Sequence, residues 1–319
     1  MSVNAQEWMR GVWDGKVFYS PAEWMKGDWN GDFFYELSKL GDIACLKFCM
    51  DIGLVAKRYE CPTCGDDMKL SGGDRWLWAC RKHGANAHYI KRSLRKGTWF
   101  QASHMKFGLI LRLTYMWLNK MPKESIMNDL GVASQTATDW KNFCKEVCMD
   151  HCLRFDGQVG GDSMTVDIYE AWLSEKKYKI ERRVKGNSVY VGLVRNLNDC
   201  FVEVVEDRSA EVLVEVIIKR IVPGSTILIN CGSLYSSSCA LFEQLEVLHN
   251  VTIKDTSKST DGTWLKVKRA LQGNDFLDGE FNDEVAEYIW RRQNNYVITQ
   301  KMKNFLKAIS ESFPPKSKD

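Results

Sequence analysis

No stretch of this sequence approaches the roughly 18 to 20 consecutive apolar residues of a membrane-spanning helix. The opening MSVNAQEWMR also lacks the charged-then-apolar plan of a secretory signal. The expectation is a soluble intracellular protein with no membrane partner. Proline is scarce, with six in 319 residues, while 45% of the chain is hydrophobic. That balance argues against extended disorder and leaves length for two or three modest domains. Acidic residues are missing from one long segment: residues 75–123 hold eleven Lys or Arg and neither Asp nor Glu. A band so uncompensated draws in phosphates and points to nucleic acid, against the alternative of a merely solvated basic face. The overall net charge of +3 would not have suggested it. Cysteine, by contrast, is plentiful at eleven. A reducing compartment disfavours disulfides, so metal binding or burial as small hydrophobes must account for them.

The N-terminal segment contains a repeat. EWMRGVWDGKVFY, from Glu7, recurs as EWMKGDWNGDFFY, from Glu23. Asp14-Gly15 and Asn30-Gly31 are hairpin-turn dipeptides, so each copy reads as a turn flanked by aromatic anchors. Trp8, Trp13, Trp24 and Trp29 either pack on the following domain or form a duplicated docking motif for a nuclear protein partner. Beyond them, Leu37, Leu40, Ile43, Ala44, Leu46, Phe48 and Cys49 suggest helices broken at Gly41, with Cys45 and Cys49 as core residues. The terminal ESFPPKSKD loses all periodicity and is expected to fray.

Cys61-Pro62-Thr63-Cys64-Gly65 followed by Cys80 and His83 is a CxxC plus a CxxH, the spacing of a tetrahedral zinc site. Trp76, Leu77 and Trp78 read as a strand leading into the second pair, as in a zinc ribbon. His88 competes with His83 for the fourth position. A redox CxxC would leave Cys80 and His83 unexplained. The expected ion is one structural zinc, whose binding supplies folding free energy to a small module.

Residues 103–119 read as an amphipathic helix, 123–130 as a second, and 135–152 as a third after Gly131 and the N-cap Ser134. This is the order of a helix-turn-helix, although plain helical packing gives the same pattern. Its recognition helix would present Gln135, Thr136, Thr138, Asp139 and Lys141 to DNA. The basic band would add Arg81, Lys82, Lys91, Arg92, Arg95 and Lys96. Cys144, Cys148 and Cys152 read as a buried stripe rather than a second metal site.

After about residue 160 the periodicity becomes strand-like, at 163–170, 188–194, 200–205, 225–230 and 250–253. A turn lies at 195–199, Ser209 caps a helix running to Arg220, and further helices are expected at 233–248 and 282–305. Three antiparallel strands, then helix, strand, helix, strand, is the order of an RNase H-like fold. The expected class is α/β, as a multi-domain α+β chain with an N-terminal zinc ribbon and helix-turn-helix followed by an RNase H-like mixed-sheet domain. The boundaries read 1–36 for the repeat, 37–100 for the lead-in and ribbon, 101–157 for the helix-turn-helix, 158–311 for the RNase H-like part and 312–319 for a flexible tail.

FFYEL, the CPTCG knuckle, LGVASQTATDWKNFCKEVC, Gly160-Gly161, EKKYKIERRVKG, VEDRSAE, IVPGSTI and YIWRR together carry a resemblance. Over roughly residues 33–292 the sequence resembles the Merlin superfamily of DNA transposases and its bacterial insertion-sequence relatives. The resemblance implies a two-metal nuclease centre of three carboxylates and a homodimer. Matching the motifs places those carboxylates at Tyr169, Asn230 and Asp261. The first lies in Val166-Asp167-Ile168-Tyr169-Glu170-Ala171 and the second in Thr226-Ile227-Leu228-Ile229-Asn230. A phenol of pKa about 10 and a carboxamide are both neutral at pH 7, so no catalytic magnesium is expected. Asp167 shares the Tyr169 face by strand alternation and could partly substitute. The expected function is a domesticated, catalytically inactive transposase acting as a nuclear, chromatin-associated DNA-binding factor. The alternatives are an interaction scaffold in a nuclear complex and a residually active nuclease.

Overall fold

The computed structural model describes residues 12–13, 16–17, 27–72, 76–173, 188–230, 245, 248–253 and 280–317. The chain divides into two units, one of Met1–Lys141 with Tyr296–Asp319 and one of Asn142–Asn295. Helices and mixed or antiparallel sheets give an α/β chain, and among the described residues no helix is long and apolar enough to cross a membrane.

In the first unit the two copies of the aromatic repeat part ways. β1 (Val12–Trp13) and β2 (Lys16–Val17) pair antiparallel with Trp13 opposite Lys16, the register of a two-residue hairpin. The second copy is not a hairpin. Asn30 accepts a hydrogen bond from the Phe33 N–H at 2.9 Å and caps α1 (Gly31–Lys39). Asn-Gly serves either purpose because the Asn side chain replaces a backbone acceptor. Here the apolar Phe34 and Leu37 that follow bury a helical face, which decides it. Gly41, at φ +101° and ψ 170°, separates α1 from α2 (Asp42–Asp51). Only glycine adopts that conformation without strain, and this is what breaks the helix.

Trp29, Phe33, Phe34 and Phe48 pack edge to face or stacked at 5.0 to 6.4 Å between centroids. α3 (Phe107–Leu118) comes close against this cluster. A Cβ at Gly108 would stand 2.8 Å from the Cys45 sulfur, so glycine sets the approach. The helix expected from residue 103 begins at Phe107 because the Ser103 hydroxyl takes the Met105 N–H at 3.0 Å in a local turn. α4 (Lys123–Leu130) closes on Gly131 in the left-handed region at φ +63°, and α5 (Ser134–Arg154) follows. Trp140 of α5 packs edge-on to Trp99 at 4.9 Å.

β3 (Lys69–Ser71), β4 (Leu77–Lys82) and β5 (His88–Ser93) form an antiparallel sheet in that order. The C-terminal segment returns to this unit as α8 (Ile298–Ser312), with Phe305 against Trp117 at 5.3 Å. The tail does not fray as far as Ser317, whose carbonyl accepts the Glu60 N–H at 2.7 Å.

The second unit is organised by β6 (Thr165–Leu173). Its sheet runs β10 (Asn250–Ile253), β9 (Thr226–Asn230), β6, β7 (Ser188–Val194), β8 (Cys200–Val205), with β11 (Glu280–Phe281) pairing the end of β6. β6, β7 and β8 are antiparallel neighbours, while β9 is parallel to β6 and β10 is parallel to β9. Val166, Ile168, Tyr190, Ile227 and Ile229 form one buried cluster with Leu213 and Ile217 of α6 (Ala210–Arg220), a helix capped by Ser209. The alternate residues Asp167, Tyr169, Val191 and Leu193 are buried too.

α7 (Asp283–Gln293) is tied to the β7–β8 hairpin by Arg292, which donates to the Val194 carbonyl, and Gln293, which donates to the Cys200 carbonyl. Lys145 pairs with Glu284, and the Cys152 thiol faces the Ala286 carbonyl, linking residues of α5 to α7. Cys144, Cys148 and Cys152 are a buried stripe, and burial raises the thiol pKa of Cys148 and Cys152 well above its usual value. The helix expected over 233–248 falls almost wholly outside the described residues.

Candidate functional site

Two places collect the residues with chemistry: the loop and sheet around Cys61, and the middle of β6.

At the first, Gly65 takes φ +73° and donates its N–H to the Cys61 carbonyl at 2.8 Å, while the Cys61 N–H donates to Asp66. This tight turn presents the Cys61 and Cys64 sulfurs from one side. Cys80 arrives on β4 and His88 on β5, and the four donor atoms lie within 4.8 Å of one another. His88 Nε2 is 3.5 Å from the Cys61 sulfur and 3.4 Å from that of Cys80, and the Cys64 and Cys80 sulfurs are 3.7 Å apart. His88 Nδ1 is 2.8 Å from the Asn86 carbonyl, which can only accept. The Nδ1 proton therefore goes there, and Nε2 keeps its lone pair toward the sulfurs, as a metal-binding imidazole requires.

Electrostatics favour a cation at this point. Burial works against a Cys61 thiolate, but the backbone N–H groups of Thr63 and Cys64 and the neighbouring thiols outweigh it and draw the group down to about 6. Burial and the other two sulfurs push Cys80 up to about 12. Three sulfurs this close cannot all be thiolates unless a positive ion sits among them. The cluster could hold a metal ion, and it is the one such group among the described residues.

The fourth donor is His88, not His83. β4 continues as a strand through Lys82, so alternation puts Cys80 and Lys82 on one face and sends His83 to the other. His88 pairs with Lys82 across the hairpin and therefore shares the Cys80 face. His83 is exposed at the start of a short 3-10 turn, Gly84–Asn86. Following the strand two residues past Cys80, up to Gly84, would have revealed this parity from sequence.

The residues expected to face DNA differ in exposure and pairing. Arg81, Lys91, Lys96, Gln135 and Lys141 are exposed. Lys82 is exposed but pairs with Asp66, and Arg92 is half-buried with Nη1 on the Lys91 carbonyl. Arg95 is half-buried and turned inward. Its Nη2 donates to the Met105 carbonyl at 2.6 Å, its guanidinium lies 4.2 Å from the Phe107 ring centroid, and burial lowers its pKa. On α5 the Thr138 hydroxyl donates back to the Ser134 carbonyl, Gln135 donates to Asp139, and Thr136 is half-buried. Trp29, expected as a partner anchor, is only 2% exposed and belongs to the aromatic core. The Trp13 backbone lies in β1, and Trp8 and Trp24 lie outside the described residues.

In the middle of β6, Tyr169 is buried and its Cα partner on the parallel strand β9 is Asn230. Asp261 lies outside the described residues. Asp167 is 1% exposed, and Arg195 holds both of its oxygens, Nε at 2.7 Å and Nη2 at 2.9 Å. Its charge is thus matched by Arg195. Glu170 is paired in the same way with Arg208 at 2.6 Å.

No protein-family model matches the chain, and neither a curated protein nor a solved structure matches it.

Proposed function

We propose that this chain is a catalytically inactive, transposase-derived DNA-binding protein of the nucleus, acting as a chromatin-associated factor. In this reading a zinc ribbon and a helix-turn-helix contact DNA, and an RNase H-like body serves as a platform in a homodimer. The observation that carries it is the pairing of Tyr169 with Asn230 across β6 and β9. The two positions that motif matching assigns to catalytic aspartates are neighbours at the centre of a sheet whose strand order and directions suit an RNase H-like domain. Both residues are uncharged. Two hard divalent ions need anionic oxygens to offset the loss of their waters, and a phenol and a carboxamide supply none.

The residues at the other centre fit zinc. Three thiolates and one imidazole form a soft, four-donor set suited to a closed tetrahedral site with a structural role. Around it the cations Arg81, Lys91 and Lys96 reach solvent from a segment without acids. The turn between α4 and α5, with exposed Gln135 and Lys141, supports a recognition helix.

Two measurements test this reading. Incubation with supercoiled plasmid and hairpin DNA in Mg²⁺ or Mn²⁺ is expected to give no cleavage. Duplex affinity is expected to fall with salt, with a slope shallower by about 1 for each of Lys96→Gln and Lys141→Gln. Metal-dependent cleavage would overturn the first half, and binding indifferent to salt the second.

A further inference from the structure

The face of the three-stranded sheet that does not carry the metal donors has its own composition. Trp78, Cys80 and Lys82 on β4 stand opposite Arg92, Ile90 and His88 on β5 and share the metal-side face. Ala79 and Arg81 stand opposite Lys91 and Tyr89 and share the outer one. Lys69 on β3, opposite Ala79, joins them there. Lys69, Arg81, Tyr89, Lys91 and Ser93 are exposed, and no strand position on this outer face is acidic. Tyr89 is 56% exposed, a large ring left in water. The Arg81 guanidinium lies 5.7 Å and the Lys91 ammonium 4.8 Å from its centroid.

We propose that this face binds single-stranded nucleic acid. An unpaired base stacks on Tyr89 while Arg81, Lys91 and Lys69 hold the flanking phosphates. The inference rests on the DNA-binding reading above and specifies the form of the strand that the ribbon takes. The ring decides between partners. A duplex keeps its bases stacked on one another and offers an exposed tyrosine nothing but its edge, and an acidic protein surface would use the cations and leave the ring idle. A single strand uses both, because every base has a π face and every nucleotide a charge. The present cation–π contacts do not obstruct this, since at an exposed site they are weaker than base stacking, and the two long side chains swing to phosphate.

The test is fluorescence anisotropy on the full chain with a labelled oligothymidine and with a mixed-sequence duplex. Metal content is measured for every variant as a check on folding. Tyr89→Ala is expected to weaken the oligothymidine complex about tenfold or more, the effect of one lost stack, and to leave the duplex complex unchanged. Tyr89→Phe is expected to bind like the parent. Arg81→Gln and Lys91→Gln are each expected to flatten the salt dependence of oligothymidine binding by roughly 0.7. Unchanged oligothymidine affinity in Tyr89→Ala, or equal losses on single strand and duplex, overturns the stacking inference and leaves the DNA-binding reading standing if the parent still binds duplex. A parent chain that binds neither form removes both.

Discussion

Replacing His88 by alanine should cripple metal binding, and replacing His83 should not. The two histidines are five residues apart and spacing favours His83, yet only His88 brings a ring nitrogen to 3.4 and 3.5 Å from two of the cysteine sulfurs. Structural zinc contributes about 10 to 16 kcal/mol to small modules of this kind. Shared over four ligands, that is about 2.5 to 4 kcal/mol each. At about 1.4 kcal/mol per factor of ten, losing His88 weakens binding on the order of 10²- to 10³-fold. His83 is exposed and is not one of the clustered donors, so His83→Ala should bind metal like the parent. His88→Cys should recover most of the loss, because a four-thiolate set is also tetrahedral. Competition against a chromophoric chelator at near-neutral pH reads all three. If His83→Ala loses as much as His88→Ala, or if His88→Ala loses nothing, the parity argument for β4 and β5 is wrong.

Two further substitutions probe the packing. Asp167→Asn leaves Arg195 facing a neutral partner in a largely buried pair and should cost about 2 to 4 kcal/mol in urea unfolding, the low end because Arg195 keeps a third of its side chain in water. The apolar double change Asp167→Leu with Arg195→Met should return most of that, and a double variant as unstable as the single one would refute the pairing. Trp29→Ala should cost about 3 to 5 kcal/mol of stability, as loss of a buried aromatic does. A docking anchor would show no change in unfolding, and that result would return Trp29 to the surface.

What the sequence made legible is what local chemistry decides. The range 188–194 is a run of β-formers with no breaker, and the strand has those bounds. Ser209 precedes an apolar-periodic run and caps it through the Val212 N–H. Gly41 interrupts a helical pattern and stands at a φ only glycine tolerates. The failures are long-range. Nothing near Arg95 in sequence marks it as half-buried; it turns inward because α3 brings Phe107 and the segment before it brings Met105. Asn30-Gly31 repeats Asp14-Gly15 as a dipeptide, but burial of Phe34 and Leu37 against other helices turns it into a helix cap. Ligand spacing along the chain favours His83 over His88, but the strand's alternation settles which side chains meet.

The charges of the second unit bear on what its sheet can bind. Three acids lie on strands β6 to β10, namely Asp167, Glu170 and Glu203. Each has a cation: Arg195 for Asp167, Arg208 for Glu170, and Lys219 with Arg220 for Glu203. A centre that binds two divalent ions needs the opposite arrangement, with carboxylates held together and left unneutralised until the ions arrive. An ion approaching Asp167 would have to displace a guanidinium that donates twice, at about 1.5 to 3 kcal/mol per charge-assisted bond, and then sit beside the displaced positive charge. Meanwhile the sheet is held by the hydrogen-bonded ladders of β6 with β7 and β9 and by the apolar cluster that includes Val166 and Ile168. Packing alone is therefore enough to keep the sheet, whose strand acids are each matched by a cation.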